Sequence, residues 1–231
     1  MILFIFGTSM NVFHIIGPVM IGPSSSHTAG AVRIGRVAHK ILEGAEPAEI
    51  TVELSGSFAK TYAGHGTDRA LLAGIMGFDS DSPEIRDAFS IAERKHIRYE
   101  IVTVDIPDTH PNTARISITA KDGKKIIVQG SSIGGGNIRI TRINDMKVDF
   151  SGENNTLLVL HYDKPGLVAA VTNLMFEEYK TINIGNFKLS RSFKGGPALM
   201  TIEVDGQIPD GLTEDIKHIP NVIHILLIKA I

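Results

Sequence analysis

The chain of 231 residues contains no cysteine. This absence excludes disulfide bonds, thiol nucleophiles, and zinc or iron–sulfur sites held by cysteines of this chain alone. The sequence also lacks a block of lysine and arginine and an acidic tail, and its formal net charge is only −2. A nucleic-acid-binding surface is therefore not expected. We expect a cytoplasmic protein, because a chain without disulfide bonds fits that reducing compartment.

No apolar run is long enough to cross a bilayer, which takes about 20 residues. The first residues, MILFIFGTSMN, are apolar, but they lack the basic region and the cleavage site of a signal peptide. We expect residues 1–9 to be a packed or disordered extension and expect no membrane association. Whether residues 1–9 are native or Met10 is the natural start is left open.

Hydrophobic residues make up 43% of the sequence, which is enough for a packed core. The length suits one large domain or two small ones. The short polar segment DFSGENNT, residues 149–156, has the composition of a linker. We therefore predict one domain over residues 1–150 and a second over residues 151–231.

The first half predicts a mixed-sheet α/β domain. Apolar residues at helical spacing indicate a helix over residues 28–43. A second helix is expected in TDRALLAGIMGF with Thr67 as N-cap, and a third in SPEIRDAFSIAERK with Pro83 in its first turn. Strands are expected in EITVELSG, IRYEIVTVDI and NIRITRIN, with a hairpin that turns at Asp122-Gly123.

The second half predicts the element order βαββαβ, the ferredoxin-like split βαβ arrangement. Its strands are TLLVLHY, INIGNFKLSRS, PALMTIEVDG and VIHILLIKAI, and its helices are PGLVAAVTNLMFEEYK and PDGLTEDIKHI. The overall fold class is thus α/β (α+β), with a mixed-sheet domain followed by a ferredoxin-like domain.

The most distinctive segment is IGPSSSHTAGAVRIG, residues 21–35, in which hydroxyl groups and one imidazole precede a helix. Unpaired backbone N–H groups at a helix start favour an anion, and hydroxyls add donors of adjustable geometry. The alternative is that one serine caps the helix and the others are merely solvated. The residues concerned are Ser24, Ser25, Ser26, His27 and Thr28.

A second constellation is GHGTDRA, in which Gly64 and Gly66 flank His65 and leave the backbone free to approach a ligand. Histidine is the side chain best suited to proton transfer near neutral pH, so His65 is a candidate for that role. The alternative is a surface histidine at a helix start that Thr67 caps.

A third is GSSIGGGNI, residues 130–138, where consecutive glycines between strands let N–H groups point at a ligand. Ser131 and Ser132 are candidates for binding, and the alternative is a flexible or bulged hairpin connection. Nucleotide binding is set aside, because no phosphate-loop motif occurs and the glycines do not open a helix.

The second half resembles an ACT domain in HYDKPGLVAAV and TINIGNFKLSR. The resemblance implies side-by-side self-association and the binding of a small amino acid as effector by His161, Asp163, Gly166 and Asn183. Asp163 stands where serine-binding members have asparagine, so the identity of the effector is open. The alternative is that this half only dimerises or packs.

The first half resembles the β chain of iron–sulfur-dependent L-serine dehydratases over most of residues 11–150. The resemblance rests on IGPVMIGPSSSHTAGAVRIGRVA, SFAKTYAGHGTDRALLAG and GSSIGGGNI. It implies a lyase that converts L-serine into pyruvate and ammonia, in serine breakdown and by implication in gluconeogenesis. It also implies a 4Fe–4S cluster, which a partner α subunit with cysteines must bind, and hence a hetero-oligomer.

Within that family the resemblance implies catalytic roles for His65 and His27 and no metal ligand in this chain. It implies that the substrate is bound by hydroxyl side chains of the three motifs: Ser24, Ser25, Ser26, Thr28, Thr67, Ser131 and Ser132.

A rival interpretation is a non-catalytic serine sensor. The first half also resembles the allosteric substrate-binding domain that neighbours an ACT domain in some phosphoglycerate dehydrogenases. Such a chain would bind serine or an anion and catalyse nothing.

Overall fold

The structure, a computed structural model, describes residues 19–231, so the expectation for residues 1–9 lies outside the described residues. The first part is built on a six-stranded sheet in the order β2-β1-β3-β4-β5-β6. Strands β1 and β2 run parallel and the other neighbours run antiparallel, which confirms a mixed sheet. The strands are β1 Pro47–Ser55, β2 Arg98–Thr103, β3 Asn112–Ala120, β4 Lys125–Gly134, β5 Asn137–Ile143 and β6 Met146–Phe150.

Helices cover one face of this sheet. A π-helical turn, Ser25–Ala29, leads into the first helix, and a 3-10 turn, Pro83–Asp87, leads into the fourth. None of the helices in residues 19–231 is long and apolar enough to cross a membrane. The helices of the first part are α1 Gly30–Ile41, α2 Gly56–His65, α3 Thr67–Ile75 and α4 Ala88–Arg94.

Alternation along the strands explains why the helices pack on one face only. In β1, Ile50, Val52 and Leu54 are buried, whereas Glu53 lies on the opposite, half-exposed face. There Glu53 pairs with Arg115 of β3 at 3.4 Å. The open face is therefore polar, and the apolar side chains form the core beneath the helices.

The structure corrects two sequence predictions in this part. The segment after β1 is a helix, α2, which was not predicted. Thr67 is not an N-cap, because it is the first residue of α3 and follows Gly66, which has a left-handed φ of 70°. That conformation suits glycine and turns the chain sharply from α2 into α3.

The second part is a four-stranded antiparallel sheet in the order β10-β7-β9-β8. This order and the sequence of elements confirm the ferredoxin-like βαββαβ prediction. Gly166 precedes the first helix of this part, and its left-handed φ of 84° suits glycine. The elements are β7 Asn155–Tyr162, α5 Leu167–Glu178, β8 Asn183–Arg191, β9 Pro197–Asp205, α6 Leu212–Lys217 and β10 Val222–Ile228.

The two sheets share apolar and polar contacts. Leu158, Leu199 and Ile228 of the second sheet join the core of the first part. Ser151, just after β6, donates from its backbone N–H (3.0 Å) and its hydroxyl (2.9 Å) to the buried carboxylate of Glu203. The division into domains 1–150 and 151–231 stays a prediction.

Helices α1 and α3 approach each other at glycines. A Cβ on Gly35 would collide with the carbonyl oxygen of Leu71 and lie 2.8 Å from the backbone nitrogen of Ile75. A Cβ on Gly74 would collide with the carbonyl oxygen of Val32. The two backbones are therefore in direct contact, and neither position has room for a side chain.

We expect Gly35→Ala to lower the free energy of unfolding by about 1–3 kcal/mol, because the added methyl group meets rigid backbone and overpacks the crossing. Urea unfolding monitored by circular dichroism measures this change. The matched control is Gly64→Ala in α2, where the added methyl group meets open space. The control should raise the free energy of unfolding by about 0.5–1 kcal/mol through helix propensity. Equal effects of the two changes would contradict the packing argument.

Candidate functional site

A cleft of about 270 Å³ opens where the turn before α1, the C-terminal end of α2 and the start of α3 meet. Four side chains with hydrogen-bonding or charged groups line it, together with glycine, proline and aliphatic residues. Two of them, Thr28 and His65, were predicted from the sequence, and two, Arg69 and Arg86, were not.

The serine-rich segment forms the π-helical turn before α1. The N–H of Gly30 donates to the carbonyl oxygen of Ser25, and the Ser24 hydroxyl accepts from the N–H of His27 at 3.3 Å. Ser24 thus caps this turn, and substrate binding by Ser24 stays a prediction. Short π-helical turns of this kind are frequent at functional sites.

Two of the three serines, Ser24 and Ser26, contact His27, and none of the three lines the cleft. Nδ1 of His27 lies 3.4 Å from Oγ of Ser24 and 3.4 Å from Oγ of Ser26. On the other side of the ring, Nε2 lies 3.5 Å from Oγ of Ser57 in α2. These are long contacts, and together they fix the plane of an imidazole that is only 8% exposed.

The His27 ring contacts His65 edge to face, with centroids 4.7 Å apart and an interplanar angle of 82°. Phe58 packs against the same ring at 5.2 Å. Burial, and secondarily the neighbouring His65, lower the pKa of His27 below its ordinary value of 6.5. His27 is therefore a neutral, buried ring at pH 7.

His65 is the exposed member of this pair. It is the last residue of α2, not a loop residue at the start of α3, and Gly66 ends the helix in the left-handed conformation. The side chain lines the cleft, so its ring nitrogens are accessible to a small molecule there. The structure thus brings His27 and His65 together although 37 residues separate them in the sequence.

The other predicted binding residues are buried. Ser131 is paired with Thr113 of the neighbouring strand, with hydroxyl oxygens 2.7 Å apart. Ser132 lies against Gly30 at the start of α1, where a Cβ on the glycine would collide with its hydroxyl. The hydroxyls of Ser132, Thr67 and Thr28 have no hydrogen-bond partner among residues 19–231, and of these residues only Thr28 lines the cleft. Substrate binding by Thr67, Ser131 and Ser132 stays a prediction.

Sequence reasoning missed three residues of the site. Ser57 contacts His27, and Arg69 and Arg86 line the cleft. Ser57 and Arg69 lie within SFAKTYAGHGTDRALLAG, a motif that carried the family resemblance, so a signal was present for them. Arg86 had no such signal, because it belongs to a predicted surface helix.

The predicted effector residues of the second part lie in two places. His161 is buried, and its Nδ1 lies 2.8 Å from the carbonyl oxygen of Tyr162, while its Nε2 has no partner among the described residues. Asp163 accepts from the guanidinium of Arg191 at 2.7 Å and from the N–H of Gly195 at 3.0 Å. The Gly195 N–H and the Arg191 guanidinium lower the pKa of the Asp163 carboxyl.

Asn183 lies at the other end of the second sheet. It is eight residues along β8 from Arg191, about 26 Å at 3.3 Å per residue, and its amide donates to Asp205 at 2.6 Å. Within one chain, Asn183 therefore does not meet His161 and Asp163. Effector binding by these residues stays a prediction.

The side chains of the described residues do not form a metal-binding site. Residues 19–231 contain no group of three or more histidine, aspartate or glutamate side chains that could hold a metal ion. The whole sequence supplies no thiolate. The residues present thus do not fit an iron–sulfur cluster.

We expect the free energy of unfolding to fall as the pH drops through the window between 6.5 and the lowered pKa of His27. In that window the unfolded chain binds a proton that the folded chain excludes, so the loss approaches at most about 1.4 kcal/mol per pH unit. Urea unfolding at pH 7.5 and 5.5 should show a smaller loss in His27→Gln than in the wild type. His39, whose pKa burial also lowers, is present in both proteins.

Nuclear magnetic resonance titration of the wild-type imidazoles provides an independent measurement if His27→Gln does not fold. A midpoint for His27 at or above 6.5 would contradict the assignment of a neutral ring.

Comparison with known proteins gives a consistent result. A family model described as serine dehydratase beta chain matches residues 10–104. The chain is 47% identical over 215 residues to the probable L-serine dehydratase, beta chain, of Bacillus subtilis, covering 93% of this chain and 96% of that protein. It is 37% identical over 207 residues to the L-serine dehydratase, beta chain, of Peptoniphilus asaccharolyticus, covering 89% and 91%.

A more distant similarity extends to a D-3-phosphoglycerate dehydrogenase of Synechocystis, at 22% identity over 213 residues. That match covers 83% of this chain but only 38% of the dehydrogenase, so the likeness is confined to part of the larger enzyme. The two near-full-length relatives decide the assignment: this chain belongs to the family of serine dehydratase beta chains.

Proposed function

We propose that this chain is the β subunit of an L-serine dehydratase, an L-serine ammonia-lyase that forms pyruvate and ammonia. The observation that carries the proposal is the contact between the buried ring of His27 and the exposed ring of His65 at the wall of a small cleft. The family membership of the chain supports the choice of serine as substrate.

The reaction makes demands that these residues meet. A proton leaves Cα of serine and the β-hydroxyl leaves as water, which gives an enamine. The enamine tautomerises to an imine, and water converts the imine into pyruvate and ammonia. His65 is exposed in the cleft and is the side chain of this chain that moves the proton.

His27 acts on His65 rather than on the substrate. Its lowered pKa keeps it neutral, so it adds no charge that would repel a protonated His65. The hydroxyls of Ser24, Ser26 and Ser57 contact the ring nitrogens of His27 and hold its orientation. The ring packs edge to face against that of His65. Thr28 borders the cleft, and its buried hydroxyl has no hydrogen-bond partner among residues 19–231.

The iron–sulfur cluster that the family resemblance implies does not fit this chain, which has no cysteine. We therefore propose that a partner α subunit binds the 4Fe–4S cluster and that the active enzyme is a hetero-oligomer. This chain would supply the binding of the amino acid and a proton-transfer group, in the cytoplasm, in serine breakdown and gluconeogenesis.

The second part, residues 151–231, is proposed to be a separate ACT domain with a regulatory or assembly role. The buried, unpartnered Nε2 of His161 supports a ligand-binding role near Gly166. Asp163 supports it less, because Arg191 and Gly195 already engage its carboxylate. Asn183 lies too far away to join these residues within one chain, so it would need a second copy associated through this domain.

The proposed function is tested by anaerobic co-expression with a cysteine-bearing serine dehydratase α chain from the same organism. We expect the purified complex to form pyruvate from L-serine and the isolated chain to form none, even after incubation with iron and sulfide, because it has no thiolates. A lactate dehydrogenase-coupled assay measures pyruvate. Turnover by the isolated chain would contradict the subunit assignment, and no turnover by a complex with an intact cluster would favour the sensor.

We expect His65→Gln in the complex to lower kcat for L-serine about 10²–10⁴-fold, the usual contribution of a general acid or base. The matched control, His218→Gln, alters an exposed histidine directly after α6 and should leave kcat within twofold. Absorbance of the cluster and gel filtration verify that the complex is intact. Full activity of His65→Gln would exclude it as the proton-transfer group.

A further inference from the structure

The cleft beside His65 has a cationic wall. Arg69 of α3 and Arg86 of the 3-10 turn both line it, and no aspartate or glutamate of the described residues does. Its volume of about 270 Å³ is just below the usual range for ligand pockets, about 300–1,000 Å³. It is therefore suited to a small anion or zwitterion.

The two arginines are free of carboxylate partners within the part of the chain that the structure describes. Five other arginines each form an ion pair with an aspartate or glutamate, namely Arg36, Arg98, Arg115, Arg139 and Arg191. Arg69 and Arg86 form none there, so both guanidinium groups remain available to a ligand.

Arg69 is also held in place. Its guanidinium lies over the ring of Phe89, 5.7 Å from the centroid, and Phe89 stacks on Tyr99 with centroids 5.3 Å apart. A guanidinium over an aromatic face is attracted by the ring. Its N–H groups, which lie in the plane of the guanidinium, remain able to donate hydrogen bonds. The stack therefore orients Arg69 before any ligand binds, which lowers the entropy lost on binding.

We infer that Arg69 and Arg86 bind the α-carboxylate of the amino-acid substrate. The planar guanidinium donates two parallel N–H bonds to a carboxylate, a geometry that lysine or serine does not offer. A carboxylate held there brings the Cα–H of the same small molecule into the cleft that His65 lines. In this arrangement the serine-rich turn does not bind the carboxylate, which agrees with the contacts of Ser24 and Ser26 with His27.

This inference rests on the proposed function and names the residues that recognise one end of the substrate. The alternative anion that the two arginines could bind is an acidic side chain on the surface of the α subunit. The two differ in what they predict: a substrate site changes KM, whereas a subunit contact changes the stability of the complex.

The test uses Arg69→Gln and Arg86→Gln, each purified anaerobically as the complex with the α subunit. The matched control is Arg94→Gln, an exposed arginine at the end of α4 that does not line the cleft. We expect KM for L-serine to rise at least tenfold in each cleft variant, with kcat within threefold of the wild type. Arg69→Lys should show a smaller rise, because it keeps the charge but loses the bidentate geometry.

Carboxylate recognition itself is read from two competitive ligands, L-alanine and L-alaninamide, which differ in the negative charge. The inhibition constant of L-alanine should rise tenfold or more in Arg69→Gln, while that of L-alaninamide should stay within twofold. Gel filtration and far-ultraviolet circular dichroism establish that each complex is assembled and folded.

An unchanged KM in folded, active complexes of both variants would overturn the inference. Weaker binding to the α subunit with an unchanged KM would overturn it too and would assign the arginines to the subunit contact. A wild-type complex that does not turn over serine would instead refute the proposed function, so the two failures are distinguishable.

Discussion

The site depends on the backbone-to-backbone crossing of α1 and α3. Gly35 and Gly74 allow this contact, since a side chain at either position would meet a carbonyl oxygen of the other helix. The turn that holds His27 leads into α1, and α3 starts two residues after His65. Because both helices are fixed against each other at short range, the two segments that precede them meet, and the imidazoles come into contact.

The site separates two tasks between its histidines. His27 is buried among hydroxyl groups and is kept neutral, while His65 is exposed to the cleft. The buried His27 ring packs edge to face against His65 and so helps to orient the exposed ring. Arg69 and Arg86 also line the cleft, and we propose that they bind a carboxylate. The chain has no cysteine thiolates to bind an iron–sulfur cluster, so the proposed reaction requires a complex with a subunit that has them.

The ferredoxin-like sheet is joined to the first part by more than a linker. Its leucines contribute to the core of the first part, Glu203 accepts hydrogen bonds from Ser151, and His224 pairs with Glu43 at 2.8 Å. Glu43 follows α1, the helix that the π-helical turn begins. These contacts form a continuous physical connection between the second sheet and the helix that supports His27.

The sequence by itself determined the element order of the second half, the absence of thiolates and the residue types for acid–base chemistry, because these follow from local patterns and composition. For the first half it gave most of the element order but missed α2 and β6. It also singled out His27, His65 and Thr28, which stand in short motifs of unusual composition. Only the tertiary structure decided that His65 ends a helix, that the Ser131 hydroxyl forms a hydrogen bond with the hydroxyl of Thr113, and that Arg86 lines the same cleft as His65. The pairing of Ser131 and the position of Arg86 depend on contacts between segments remote in sequence. Helix α2 packs against β1 and β3, so its formation also depends on tertiary contacts that local propensity does not encode.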